Sequence, residues 1–275
     1  MRHDPVGGRG GLTLHGRVLI IAGSDSGGGA GIQADIKAVM AMGGYSATAV
    51  TAITAQNTIG VHAILPVPPA MVRRQIAAVL DDIGADAIKI GMLGDAATVA
   101  AVADELESRP RVPLVLDPVM VAKGGASLLQ NDAVLALKQR LLSLAALITP
   151  NLPEAEALLG QAVDDPEAAA LELRALGAEA VLLKGGHADG AIVRDVLAHA
   201  GGVEIFAMPR LETRHTHGTG CTLASAIAAC LAQGSSLPEA VSRARRYVQA
   251  AIATAPGFGA GHGPLNHNAR AAQAP

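Results

Sequence analysis

The sequence predicts an α/β fold in which a mainly parallel sheet is covered by helices on both faces. Three observations carry this. Short apolar runs alternate with helical patterns along the chain, some runs are too uniformly apolar to have a wet face, and the runs close at glycine or a polar residue. No internal repeat, low-complexity linker or composition break interrupts the pattern. One domain over 17–268 is therefore expected, with a mobile N-terminal tail at 1–16 and a C-terminal tail at 269–275.

The elements follow in order. Val18–Ala22 is a strand closing at Gly23, and Ile32, Ile36, Val39 and Met40 mark one face of the next helix. Tyr45–Ala55, rich in Thr and Val, is β-like, and Val61–Val67 forms a further short strand. Val72, Ile76, Val79, Leu80 and Ile83 make an amphipathic helix opened by Pro68-Pro69. Ala87–Gly91 is a strand, Asp95–Glu107 a helix, and Leu114–Leu116 a fully buried strand ending at Asp117. A helix near Asn131–Leu142 leads to the strand Ala145–Thr149, and two helices flank the loop around Val163. Val181–Leu183 is a strand running into Lys184. Ile192–Leu197 and Val203–Met208 pair antiparallel across Gly201-Gly202, and two long helices start near Gly220 and at Ser236. Ligands of such sheets sit beyond the carboxyl ends of the strands. That directs attention to Gly23, Gly91, Asp117, Thr149 and Lys184.

Composition narrows the function. Half the residues are apolar and 16% charged, which excludes global disorder, and a formal net charge of −3 gives no bulk attraction to nucleic acid or anionic membrane. An anionic ligand must be held by a local device. With two Tyr, two Phe and no Trp, stacking on single-stranded nucleic acid is disfavoured. Cys221 and Cys230 cannot build a disulfide framework and suit a reducing cytoplasm. No apolar run is long enough for a transmembrane helix, and Met1–Gly16 lacks the apolar stretch of a signal peptide.

Gly218-Thr219-Gly220-Cys221 is the sharpest local signal. A Gly-rich turn opening a helix leaves backbone N–H groups pointing outward at the positive end of the dipole, an anion site that needs no basic side chain. Cys221 at that end would have its thiolate favoured by the dipole; the plainer reading is a small buried residue, as expected for Cys230. The glycine-rich loop 23–31 is neither a dinucleotide fingerprint, since Ile32 stands where the last glycine belongs, nor a P-loop, since no Gly-Lys pair occurs in the chain. Asn151-Leu152-Pro153-Glu154 reads first as a capping box; the functional alternative has Glu154 organising hydrated Mg²⁺, with Asp117 either a second carboxylate or a cap for the loop that follows it. Lys184 is either a solvated edge lysine or a phosphate contact. Gln56 offers an amide suited to a heterocycle edge, or simply belongs to a polar turn.

Eight motifs stand in order between Ala22 and Thr222, within a similarity that runs from about Val18 to about His267. They run through Ala22-Gly23-Ser24-Asp25, Gly28 to Asp35, Thr54 to Thr58 and Lys89 to Leu93, then Leu116 to Met120, Thr149 to Glu154, Lys184 to His187 and Thr216 to Thr222. Together they resemble the hydroxymethylpyrimidine/phosphomethylpyrimidine kinases of thiamine biosynthesis. That resemblance implies a ribokinase-like three-layer αβα sandwich. It implies ATP and Mg²⁺, a hydroxymethylated pyrimidine and its monophosphate as substrates, and a homodimer. It assigns Gln56, Gly23, Asp35, Met92 and Val119 to the pyrimidine, and Lys184 and Thr219 to ATP. Glu154 and Asp117 go to the metal, and Cys221, Gly218 and Gly220 to the transferred phosphoryl group. Cys221 is then the candidate base for the first of two phosphorylations, because only that step starts from an alcohol. Some relatives carry a basic residue where Ala260 stands, which implies that this chain forgoes one ATP interaction or makes it with another residue. The rival readings are a pyridoxal or pyridoxine kinase of the same superfamily and a non-catalytic pyrimidine-sensing domain.

Overall fold

A computed structural model describes residues 15–120, 131–187 and 190–269. The elements are β1 (Arg17–Asp25), α1 (Gly31–Ala41), β2 (Tyr45–Gln56), β3 (Val61–Pro66), α2 (Pro69–Asp82), β4 (Ala87–Ile90), α3 (Ala96–Glu107) and β5 (Leu114–Leu116). They continue as α4 (Asn131–Arg140), β6 (Leu147–Ile148), α5 (Leu152–Leu159), α6 (Pro166–Ala175) and β7 (Val181–Leu183). The chain finishes with β8 (Ile192–His199), β9 (Gly202–Pro209), α7 (Thr219–Ala232) and α8 (Leu237–Ala253).

The strands form one sheet in the order β3-β2-β1-β4-β5-β6-β7-β8-β9. Pairing is parallel from β2 through β7, while β3 at one edge and β8 and β9 at the other run antiparallel. Alternation along β1 shows how the layers arise. Leu19 and Ile21 face a core with Val72, Ile76, Val99, Val102, Leu158 and Leu173 from α2, α3, α5 and α6. Val18, Ile20 and Ala22 face the opposite core, built with Val39, Ile227 and Val241 from α1, α7 and α8. The result is a three-layer α/β/α sandwich. Each fully buried Leu or Ile contributes about 1.5–3 kcal/mol, so a one-residue slip of a central strand would invert several such terms and is excluded.

Differences from expectation are local. Only Leu147–Ile148 of the expected strand Ala145–Thr149 pairs as β6, because a 3₁₀ turn at Leu142–Leu144 brings the chain in late. The N-terminal tail was expected to reach residue 16, yet the His15 N–H donates to Gly43 O and the Tyr45 N–H to Gly16 O, so the fold begins before β1. Residues 1–14 and 270–275 of the expected tails lie outside the described residues. Among the described residues no helix is long and apolar enough to cross a membrane.

Candidate active site

A cavity of about 980 Å³ opens at the carboxyl ends of the parallel strands. One end is formed by Gly23, Thr54, Gln56, Met92, Val119 and His217. The middle holds Asp117, Glu154, Lys184 and the 218–221 turn, and the far end is walled by Met208, Val248 and Ile252.

The helix start is built by contact between distant loops. Gly218 has φ +81°, and a Cβ there would stand 1.8 Å from the backbone oxygen of Gly29, so only glycine lets the turn lie against loop 27–30. Gly31 is held the same way, with φ +54° and a would-be Cβ 2.4 Å from Gly23 O. No side chain caps α7; the Thr219 N–H donates to Thr216 O at 3.3 Å, which leaves those of Gly220 and Cys221 for a ligand. Thr219 Oγ1 donates to Thr216 O at 2.8 Å and lines the cavity.

Opposite the turn, Lys184 Nζ donates to Asp117 Oδ1 at 2.8 Å and stands 3.7 Å from Glu154 Oε2. Thr149 Oγ1 donates to the same Asp117 oxygen at 2.9 Å. Burial works to raise the Asp117 carboxyl, but Lys184 and Lys89 outweigh it and hold it below the ordinary range. Glu154 is pushed up to about 7, first by burial and then by the Asp117 charge, against the pull of Lys184. The capping box is real: Glu154 Oε2 accepts from the Asn151 N–H at 2.7 Å, and Asn151 Oδ1 from the Glu154 N–H at 2.9 Å. Capping and a place beside Lys184 are thus two roles of one carboxylate. Lys184 is no solvated edge lysine; Asp117 and Glu154 keep it charged against the cost of burial.

Two expectations are corrected. Asp35 does not line the cavity. It is fully buried on the inner face of α1, where its carboxylate accepts from Lys89 Nζ at 2.9 Å to each oxygen and from Ser225 Oγ at 2.7 Å. A carboxylate so saturated has little left for a ligand. Nor does the helix dipole yield a resting thiolate at Cys221. Burial pushes the thiol up to about 12, outweighing Lys89 and the Gly31 N–H that favour ionisation, while Asp35 and Asp117 add to the rise.

Gly23, Gln56, Met92, Val119, Asp117, Glu154, Lys184 and 218–221 all line this one cavity. Sequence reasoning missed Lys89, Asp25 and His217. A lysine inside the apolar run Ile88-Lys89-Ile90 was the available signal, since a lysine there must find a buried partner. His217 Nε2 lies 2.8 Å from Asp25 Oδ2, a contact with no local signature.

The phosphomethylpyrimidine kinase family model matches residues 25–266. The chain belongs to that family. It is 53% identical over 255 residues to a thiamine biosynthesis bifunctional protein of Geobacter sulfurreducens, using 92% of this chain but spanning only 52% of that protein. A hydroxymethylpyrimidine/phosphomethylpyrimidine kinase of Haemophilus influenzae is 49% identical over 258 residues, 91% of this chain and 96% of the relative. Among solved structures, an ADP complex of Bacillus subtilis pyridoxal kinase superposes with a TM-score of 0.86 at 37% identity, covering 93% of this chain and 98% of the other. The chain thus shares its fold with a pyridoxal kinase.

Proposed function

We propose that the protein transfers the γ-phosphoryl group of ATP to 4-amino-5-hydroxymethyl-2-methylpyrimidine, and then a second one to the monophosphate, in thiamine biosynthesis. One observation carries the reading. A single cavity joins the Gln56 amide to an uncapped helix start through the Lys184–Asp117–Glu154 cluster. Gln56 reads the ring edge, and Met92 and Val119 supply apolar walls in a chain with few aromatics. The substrate oxygen attacks phosphorus, the bond to the β-phosphate oxygen breaks, and ADP leaves. The Gly220 and Cys221 N–H groups hold the charge that develops on the transferred group. Lys184 meets phosphate oxygens by loosening its pairing with Asp117. In the first step Cys221 first loses its own proton to solvent, helped by the Lys89 charge, and the thiolate then takes the alcohol proton; in the second the nucleophile is already an anion and no base is needed.

Among the described residues no group of three or more His, Cys, Asp or Glu could hold a metal ion by itself. Asp117 and Glu154 instead fit Mg²⁺ that arrives with ATP and keeps several waters, where it would offset phosphate charge. A cytoplasmic setting fits two free cysteines. Exposed Ile53, Ile64, Leu65 and Met71 on β2, β3 and α2 support a homodimer through that edge.

The test is ADP release, with and without EDTA, in the presence of the hydroxymethylpyrimidine, of pyridoxal, and of neither, with products resolved as mono- and diphosphate. Mg²⁺-dependent turnover with the pyrimidine through to diphosphate is expected. The likeness to a pyridoxal kinase structure favours a second reading, preferential turnover of pyridoxal, and that outcome would replace the first. No turnover with either would leave a pyrimidine-sensing domain.

A further inference from the structure

Asp25 closes β1 and His217 precedes α7, and the two meet at the cavity wall beside Gln56. Asp25 is engaged wholly as an acceptor. Its Oδ1 takes the Gly27 N–H at 2.8 Å, and its Oδ2 takes those of Gly29 at 3.1 Å and Ala30 at 2.8 Å. Burial works to raise the carboxyl, yet the His217 ring and the Ala30 and Gly27 N–H groups outweigh it and hold it below its ordinary value. An ionised carboxylate donates nothing. The hydrogen in the 2.8 Å contact with His217 therefore belongs to the imidazole Nε2.

That hydrogen governs the neighbouring amide. With Gln56 Nε2 turned to His217, at 3.3 Å, and Oε1 to Thr54 Oγ1, at 3.4 Å, an N–H faces an N–H. Oε1 gains little in return, because Thr54 Oγ1 gives its one hydrogen to Ser24 O at 2.8 Å. Turning the amide over mends both contacts. Oε1 then becomes the second, weaker acceptor of the one His217 Nε2–H, which it shares with Asp25 Oδ2 in a three-centre bond, and Gln56 Nε2 donates to the lone pair left on Thr54 Oγ1.

We propose that His217, held by Asp25, is a positioning residue that locks the Gln56 amide in this one orientation and so sets specificity for the ring edge. The inference rests on the reading of Gln56 as a contact for the pyrimidine. A locked amide presents an acceptor on its His217 side and a donor on its Thr54 side. A 4-aminopyrimidine edge, an amino donor beside a ring-nitrogen acceptor, matches that pattern. The 4-oxo analogue carries a carbonyl and a ring N–H at the same places, so in the same pose it sets acceptor against acceptor and donor against donor. It is accommodated only if the amide turns and gives up both anchors.

The experiment measures kcat/KM for the 4-amino substrate and its 4-oxo analogue, and KM for ATP, in the unaltered protein and in His217→Leu, His217→Gln and Thr54→Val. Losing the imidazole donor in His217→Leu is expected to narrow the amino-over-oxo preference by about tenfold or more, with KM for ATP unchanged. His217→Gln, whose amide again offers Asp25 a donor, recovers most of the preference. Thr54→Val removes the other anchor at nearly constant shape and narrows the same ratio, so it decides the matter if His217→Leu does not fold. A residue that merely braced the loops would slow both ring substrates alike and raise KM for ATP. An unchanged ratio in His217→Leu or Thr54→Val overturns the inference, as does identical behaviour of the Leu and Gln variants. Gln56→Ala separates the two layers. An unaltered KM for the pyrimidine there removes Gln56 from the ring and takes this inference with it, whereas a raised KM with an unchanged ratio in the other variants removes this inference alone.

Discussion

Cys221→Ala, followed across pH for each phosphorylation separately, tests the proposed proton transfer. The thiol is pushed up to about 12 by burial, so near neutral pH only about one molecule in 10⁵ carries the thiolate. Ionising it there costs about 7 kcal/mol. If Cys221 is the base, the first phosphorylation must therefore quicken about tenfold per pH unit from about 7 to 10, in step with the thiolate. The second starts from an anionic phosphate and should lack that rise. The ratio of the two rates isolates Cys221, because any group that both reactions share, such as Glu154 at about 7, cancels in it. Alanine should slow the first step by about 10²–10⁴-fold and flatten its profile, sparing the second. The assay is single-turnover quench from the alcohol and, separately, from the monophosphate. A first step as flat with pH as the second would refute the reasoning, and equal slowing of both would assign Cys221 to the shape of the anion site.

Gly218→Ala forces a side chain into φ +81° and against the Gly29 carbonyl. The backbone conformation alone costs about 1–2 kcal/mol, read by denaturant unfolding, and displacing the 27–30 loop should lower kcat/KM about 10²-fold. Lys89→Met strands the buried Asp35 carboxylate and should destabilise by about 3–5 kcal/mol, most of it recovered in the double variant with Asp35→Asn. His267 is held down to about 4 by burial and then by the nearby Lys37 charge, and neither acts on it in the unfolded chain. The unfolded chain thus binds more protons below about 6.5, and about 3 kcal/mol of stability, present above that pH, is lost as pH falls toward 4. His267→Gln should flatten the melting temperature over that window; an unchanged slope would place the loss elsewhere.

What the sequence revealed and what it hid divide along a physical line. Val18–Ala22 and Leu114–Leu116 were legible because burial on both faces leaves a local apolar run, and strand exits then located Asp117 and Lys184. Gln56 was legible as an amide after a strand, though its partners were not. Asp35 misled because a carboxylate in a motif of the pyrimidine kinases looks like a ligand contact. Its true partners, Lys89 and Ser225, lie far along the chain and leave no periodicity behind. Cys221 misled differently: a helix N-terminus favours the thiolate, but only the packed structure shows that desolvation exceeds that help. Helix and strand periods report which side of an element is dry. They do not report which polar groups meet there.

Loop 27–30 closes against Gly218, Asp25 bonds His217 across 192 residues, and Asp35 bonds Ser225 across 190. The cavity wall at Asp25 and the packing behind it at Asp35 thus wait for the other end of the polypeptide. During synthesis β1 and α1 leave the ribosome among the first elements; Asp25 finds the 27–30 N–H groups at once and Asp35 finds Lys89 on β4, but each lacks its last partner until α7 is out. Contacts of such sequence separation form slowly, because a large loop must close before any of them contributes. Early intermediates should therefore hold the central strands while the pocket remains open. Chains cut short before His217 leave Asp25 without its imidazole and Asp35 without the Ser225 hydroxyl. Closure of the cavity should then come late in folding, with the docking of α7, and a chain that ends before His217 should fail to bind substrate.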